Sequence, residues 1–89
     1  MVSKEFAITN KMGLHMRPAN LFVQTMSKHP TSTVTIRFGD KVVDGKSIMN
    51  IMASCIKCGS TITVECNGPD EAVMLQEAAE LIESGFGEE

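Results

Sequence analysis

The sequence predicts an α+β fold: a four-stranded antiparallel sheet covered on one face by three helices, in the order β-α-β-β-α-β-α. Three observations lead there. Four short segments alternate apolar and polar residues, and three others repeat apolar residues at helical spacing. The 89 residues suffice for one domain, 1–89, and no more. Amphipathic strands together with amphipathic helices make two layers, and a sheet wet on its other face is an antiparallel trait.

The elements follow in order. Val2, Lys4, Phe6 and Ile8 alternate with more polar neighbours as a strand, and Thr9-Asn10-Lys11-Met12-Gly13 is a loop of turn formers. Ala19, Phe22, Val23 and Met26 then recur at helical spacing, so a helix is expected from about Met16 to Lys28, ended by His29-Pro30. Pro18 sits in its first turn, where a missing N–H costs nothing. Val34, Ile36 and Phe38 alternate with Thr33, Thr35 and Arg37 as a second strand; Gly39-Asp40 turns into a short third strand, Lys41-Val42-Val43. After the Asp44-Gly45-Lys46 loop, Ser47 is a fitting N-cap for a short helix, Ile48 to Ser54, broken by Gly59. Thr61 to Cys66 alternates again, with Ile62, Val64 and Cys66 on one face. Asn67-Gly68-Pro69-Asp70 opens the last helix, with an apolar stripe of Ala72, Leu75, Ala79 and Ile82; Ser84-Gly85 stops it before an acidic tail at Glu88-Glu89. The solvated sheet face is expected to carry Lys4, Thr33, Thr35, Arg37, Thr61, Thr63 and Glu65.

Composition narrows the function. A formal net charge of −3 without a dense Lys/Arg cluster argues against nucleic acid or an anionic membrane as partner. No apolar run reaches membrane-span length, and Met1-Val2-Ser3-Lys4-Glu5 lacks the layout of a signal peptide, so a cytoplasmic address is expected. Three cysteines do not pair off into a complete disulfide framework.

The chemical signal lies in Gly13-Leu14-His15-Met16-Arg17-Pro18-Ala19. Gly13 lets the loop turn tightly into the helix. His15 falls at the first helical position or its cap, where unpaired backbone N–H groups converge at the positive end of the helix dipole. A phosphoryl group on the imidazole would sit among those donors, and Arg17 could add a charge-assisted hydrogen bond to the same oxygens. The same field favours the neutral imidazole that nucleophilic attack requires. His29 lies at the far end of the helix, roughly 20 Å away by helical rise, and cannot share the site. No metal cluster accompanies His15, no carboxylate lies near it in sequence, and a catalytic triad is not supported. No cofactor and no metal is expected.

With these residues, the sequence resembles the histidine-containing phosphocarrier family, HPr, of the bacterial phosphoenolpyruvate-dependent sugar phosphotransferase system. The segment Gly13 to Ala19 looks like that family's active-site signature, and Gly45-Lys46-Ser47-Ile48-Met49-Asn50-Ile51-Met52 looks like its regulatory-serine signature. The resemblance covers nearly the whole chain and implies an open-faced β-sandwich. It implies phosphorylation on Nδ1 of His15, with enzyme I as donor and enzyme IIA domains of sugar permeases as acceptors. The chain would then be a phosphocarrier, a covalent intermediate between enzymes and not itself an enzyme, and is expected to act as a monomer. Met16 departs from the smaller residue usual there; it flanks the phosphate site and bears on partner preference or rate.

Ser47 alone would be a helix cap. The resemblance makes it a regulatory phosphorylation site for HPr kinase/phosphorylase, with phosphoserine adding roughly −1.5 to −2 charge. Ile48, Met49, Ile51 and Met52 are too many apolar residues for one face of a short helix, so some must be exposed. With Met16, Asn20, Leu21 and Gln24 on the first helix, Ile48, Met49 and Met52 are read as a partner-docking patch. Weak, transient contacts suit a carrier. Cys55-Ile56-Lys57-Cys58 falls at a helix end, unlike a thioredoxin motif, and only Cys66 remains as a third thiol, too few for zinc; these cysteines are read as structural. Two other readings compete. One is a regulatory relative, in a nitrogen-type or incomplete phosphotransferase system, without direct sugar transport. The other is a non-carrier protein-interaction module, against which the His15–Arg17 pair argues.

Overall fold

The computed structural model describes residues 1–87; the acidic tail at Glu88-Glu89 lies outside the described residues. The strands are β1 (Val2–Ala7), β2 (Thr33–Phe38), β3 (Lys41–Asp44) and β4 (Thr61–Asn67); the helices are α1 (Met16–Met26), α2 (Ile48–Ala53) and α3 (Glu71–Glu83). They follow one another as β1-α1-β2-β3-α2-β4-α3. The strands form one antiparallel sheet in the order β1-β4-β2-β3. This is the predicted α+β arrangement: a four-stranded antiparallel open sheet with three helices.

Register follows from which residues must be dry. Val64 stands opposite Lys4 on one side and Ile36 on the other, and Ile36 stands opposite Val43. Rows of Val2, Cys66 and Val34, and of Phe6 and Ile62, flank it. Successive side chains alternate faces, so these rows share the helix-covered side. Above them α3 lies over β1 and β4, α2 packs beside β3, and α1 packs against both helices. Phe22 and Met26 of α1, Ile51 of α2, and Met74, Ala78 and Ile82 of α3 complete the core. The opposite face carries Thr33, Thr35, Arg37, Thr61, Thr63 and Glu65, all exposed or half-buried, with Arg37 Nε donating to Glu65 Oε2 at 2.8 Å.

Four expectations are corrected. Lys4 is not on the solvated face. It shares a row with Val64, Ile36 and Val43, and its stem lies beside Ala72, Leu75 and Ala79. A lysine is tolerated there because β1 is an edge strand: its ammonium escapes past Phe6 toward Glu83, 3.4 Å away. The first helix ends at Met26, with Ser27 as C-cap, short of Lys28. The chain after α2 turns already at Cys55, whose φ is 57°, and does not wait for Gly59. The stripe of α3 is rotated: Met74 and Ala78 join Ala79 and Ile82 inside, while Leu75 is half-buried and Ala72 exposed. A helix that crosses two strands buries the side chains facing both, and alanine at position 72 costs little to leave wet. After α3 a single 3-10 turn, Gly85–Gly87, folds the buried ring of Phe86 back onto the core, a closure the sequence reading omits.

Candidate functional site

The site begins as a backbone problem. The chain leaves β1, must reverse, and must enter α1 with His15 at its start. Asn10 does the first part. Its carbonyl accepts the Gly13 N–H at 3.0 Å, and its buried side chain donates from Nδ2 to the Gly13 carbonyl at 2.6 Å. Gly13 sits at φ 64°, the left-handed region. It also lies so close to the chain after α2 that a Cβ would come within 2.4 Å of the Ile56 carbonyl oxygen. Glycine is therefore required twice over at that position. Leu14 then buries its side chain and donates its N–H to Ile56 at 3.0 Å.

His15 is the N-cap of α1, in extended conformation with φ −80° and ψ −171°, and it is half-buried. Its carbonyl accepts the Ala19 N–H at 3.0 Å, the first bond of the helix. No cap hydrogen bond comes from its side chain, and the first turn contains no acidic residue. Helix geometry leaves the N–H groups of the first turn without intrahelical partners. Pro18, buried at the third position, contributes none, so Met16 and Arg17 supply the donors of that turn. Arg17 is exposed and, among the described residues, takes part in no ion pair. A helix start of this kind suits an anion: it has backbone donors without intrahelical partners, an exposed arginine at its second position and no acidic residue in its first turn.

The surrounding surface is apolar in part. On α1, Met16, Asn20, Leu21 and Gln24 are exposed; on α2, Met49 is 82% exposed and Met52 37%. The two helices that carry them pack against each other. Ile48, assigned to the same patch by sequence, is instead half-buried against the core, and Ile51 is fully buried. Met12, 71% exposed in the loop before His15, extends the apolar surface and was absent from the sequence reading.

Ser47 is the N-cap of α2. Its Oγ accepts from the Asn50 backbone N–H at 3.2 Å and from Asn50 Nδ2 at 3.1 Å. Lys46 beside it turns the other way: its ammonium donates to the carbonyls of His29 at 2.7 Å and of Ser32. It thereby ties this loop to the end of α1.

Sequence reasoning gave His29 no task, yet it links two helices. Nδ1 lies 2.9 Å from Asp70 and Nε2 lies 2.7 Å from Glu77. The two carboxylates, Asp70 foremost, hold its pKa above the ordinary 6.5 despite the opposing effect of partial burial. Charged residues near a histidine at a helix end are the available signal, but Asp70 and Glu77 are more than forty positions away and only the fold brings them in. Among the described residues no cluster of histidine, cysteine and carboxylate could hold a metal ion, and no helix is long and apolar enough to cross a membrane.

Known proteins share this arrangement. The family described as "PTS HPr component phosphorylation site" matches residues 2–84. A phosphocarrier protein HPr of Xylella fastidiosa is 39% identical over 89 residues, covering all of this chain and 99% of the relative. The crystal structure of an HPr from Thermoanaerobacter tengcongensis superposes with a TM-score of 0.95 at 43% identity, covering 100% of this chain and 99% of that one. Crh, the catabolite repression protein of Bacillus subtilis, crystallised as a swapped dimer, superposes at 0.75 with 34% identity over 96% of this chain and 97% of its own. A family match along nearly the entire chain, full-length identity and the same fold together carry one conclusion: the chain belongs to the HPr family of phosphocarriers.

Proposed function

We propose that this phosphocarrier takes a phosphoryl group on Nδ1 of His15 from phosphorylated enzyme I and passes it to enzyme IIA domains. The observation that carries the reading is the position of His15 as the N-cap of α1, with exposed Arg17 in the first turn and no acidic residue there. The imidazole lone pair attacks phosphorus and the bond to the donor breaks. The three phosphoryl oxygens then accept hydrogen bonds from the Met16 and Arg17 N–H groups and the Arg17 guanidinium. The N–P bond breaks in turn when an acceptor nucleophile approaches from the open side. Met16, Asn20, Leu21, Gln24, Met49 and Met52 supply the contact surface, with Ile48 at its buried margin. The carrier acts as a monomer in the cytoplasm.

Ser47 is proposed as a regulatory phosphorylation site for a kinase of the HPr kinase/phosphorylase type. A second reading, in which regulation outweighs sugar uptake, draws on the likeness to Crh, a catabolite repression protein, which is weaker than the likeness to HPr.

The test is direct. The chain is incubated with labelled phosphoenolpyruvate and enzyme I, and the acid-labile phosphate is mapped. We expect one labelled residue, His15, and no label in His15→Ala. Label that persists in the variant rejects the assignment.

A further inference from the structure

The loop that presents His15 is held by the segment after α2. Ile8 N–H donates to the Ser60 carbonyl at 2.8 Å, Gly59 N–H to Ile8 at 2.8 Å, and Leu14 N–H to Ile56 at 3.0 Å. The missing Cβ of Gly13 would lie 2.6 Å from the Lys57 Cα. This buttress carries two cysteines, Cys55 and Cys58, both exposed. Cys58 donates its S–H to the Thr9 carbonyl at 3.6 Å and so touches the His15 loop itself; Cys55 donates to the Ala53 carbonyl at 3.7 Å. Cys55 also holds a left-handed backbone, φ 57°, which a residue with a Cβ seldom adopts.

The backbone between them decides what oxidation would do. Ile56 and Lys57 are central to no turn; the next turn starts at Lys57, whose carbonyl accepts the Ser60 N–H at 3.0 Å. A disulfide needs its two Cα atoms within about 7 Å, and four consecutive residues reach that separation only as a turn. Joining Cys55 to Cys58 therefore bends the chain at Ile56 and Lys57, releases the Cys58–Thr9 contact, and draws the Ile56 carbonyl away from Leu14. The residue that follows Leu14 is His15.

We propose that Cys55 and Cys58 form a redox-modified dithiol pair that governs the geometry of the His15 loop, the reduced form being competent in phosphotransfer. The proposal rests on the reading of His15 as phosphoacceptor. Hydrogen peroxide is the oxidant class. One thiol gives up its proton as its sulfur attacks a peroxide oxygen; the S–O bond forms, the O–O bond breaks, the leaving oxygen takes the proton, and a sulfenic acid and water result. The second thiol's sulfur attacks the sulfenyl sulfur, the S–S bond forms, the S–O bond breaks, and the leaving hydroxide takes that thiol's proton as a second water. The peroxide gains two electrons and the two thiols lose two. A dithiol reductant reverses the step, and a bridge that bends its own backbone belongs to the easily reduced kind. Cys66 stays outside this chemistry, because it is fully buried in β4.

The full chain is treated with hydrogen peroxide, freed of peroxide, and mapped by mass spectrometry. Its initial rate of phosphorylation by phosphoenolpyruvate and enzyme I is compared before and after dithiothreitol, and amide resonances are recorded in both forms. We expect a Cys55–Cys58 bridge, displaced Gly13 and Leu14 resonances, and a rate lower by roughly ten- to a hundredfold, the scale of a displacement of about 1 Å at a reacting group. Dithiothreitol should restore it, and Cys58→Ser and Cys55→Ser should keep the reduced rate under both conditions. A bridged protein with unchanged rate and resonances overturns the proposal, as does oxidation that yields no bridge within the molecule. If the reduced protein takes up no phosphoryl group, the His15 reading fails separately. The resonances then decide this proposal alone, and stationary Gly13 and Leu14 signals overturn it.

Discussion

Arg17 stands in solvent two positions beyond the N-cap, while its neighbours Pro18 and Ala19 are buried. Its side chain can therefore serve an incoming anion and contributes little to packing. We expect Arg17→Ala to slow His15 phosphorylation while shifting stability by no more than about 0.5 kcal/mol, the usual range for surface changes. Thermal unfolding beside transfer rates checks this; a large loss of stability with an intact rate would contradict it. At this scale the sequence was informative because His15, Arg17 and Gly13 lie within five positions of one another and helix entry alone fixes their relation. Asn10 and Ile56, which shape the same loop, were not legible as partners. One acts through a side chain that reads as an ordinary turn former, and the other through a backbone carbonyl that any residue could supply.

α2 is only six residues long and is opened by a single side-chain cap, the Ser47 oxygen on Asn50. Phosphate on that oxygen would exchange a neutral cap for an anionic one, which a helix start tolerates. It would also place a dianion next to the exposed side chains of Met49 and Met52. We expect Ser47→Asp and phosphorylated protein to accept phosphoryl groups more slowly from enzyme I, with the phosphorylated form the slower of the two. The fold should persist in both, checked by rate and thermal midpoint together; unchanged rates would leave Ser47 a cap only. Alternation and helical spacing placed the four strands and three α-helices, because each pattern reports which face must be dry, but not the 3-10 turn at Gly85–Gly87. Boundaries escaped where nothing apolar marks them, as at Ser27-Lys28. Lys4 escaped because a charged residue on a covered face makes sense only once β1 is known to be the edge of the sheet.

At the scale of the whole molecule, His29 joins the end of α1 to the start and middle of α3 through Asp70 and Glu77. Lys28 lies 3.7 Å from the same Glu77, and Lys46 holds the His29 carbonyl. Because folding raises the pKa of His29 above 6.5, the folded state binds its proton more tightly. The stabilisation is complete below 6.5 and is lost as pH rises through the folded value. Glu71 acts in the opposite range. Its hydrogen bond from Gly68 and the N-terminal ammonium lower its pKa below 4.5, so its contribution disappears as pH falls. We expect stability to decline as pH rises above 6.5 and His29→Gln to flatten that decline, measured by denaturant titration across pH; an equal slope in the variant would contradict it. One further consequence belongs to Cys66, in the second strand from the edge, whose thiol is pushed up to about 11 by burial first and then by the Glu71 charge. In the folded protein near neutral pH that sulfur is both covered and protonated, whereas in the open chain it reacts like any thiol. Its rate of alkylation by an added thiol reagent therefore counts how often the middle of the sheet comes apart, a clock built into the molecule that needs no denaturant.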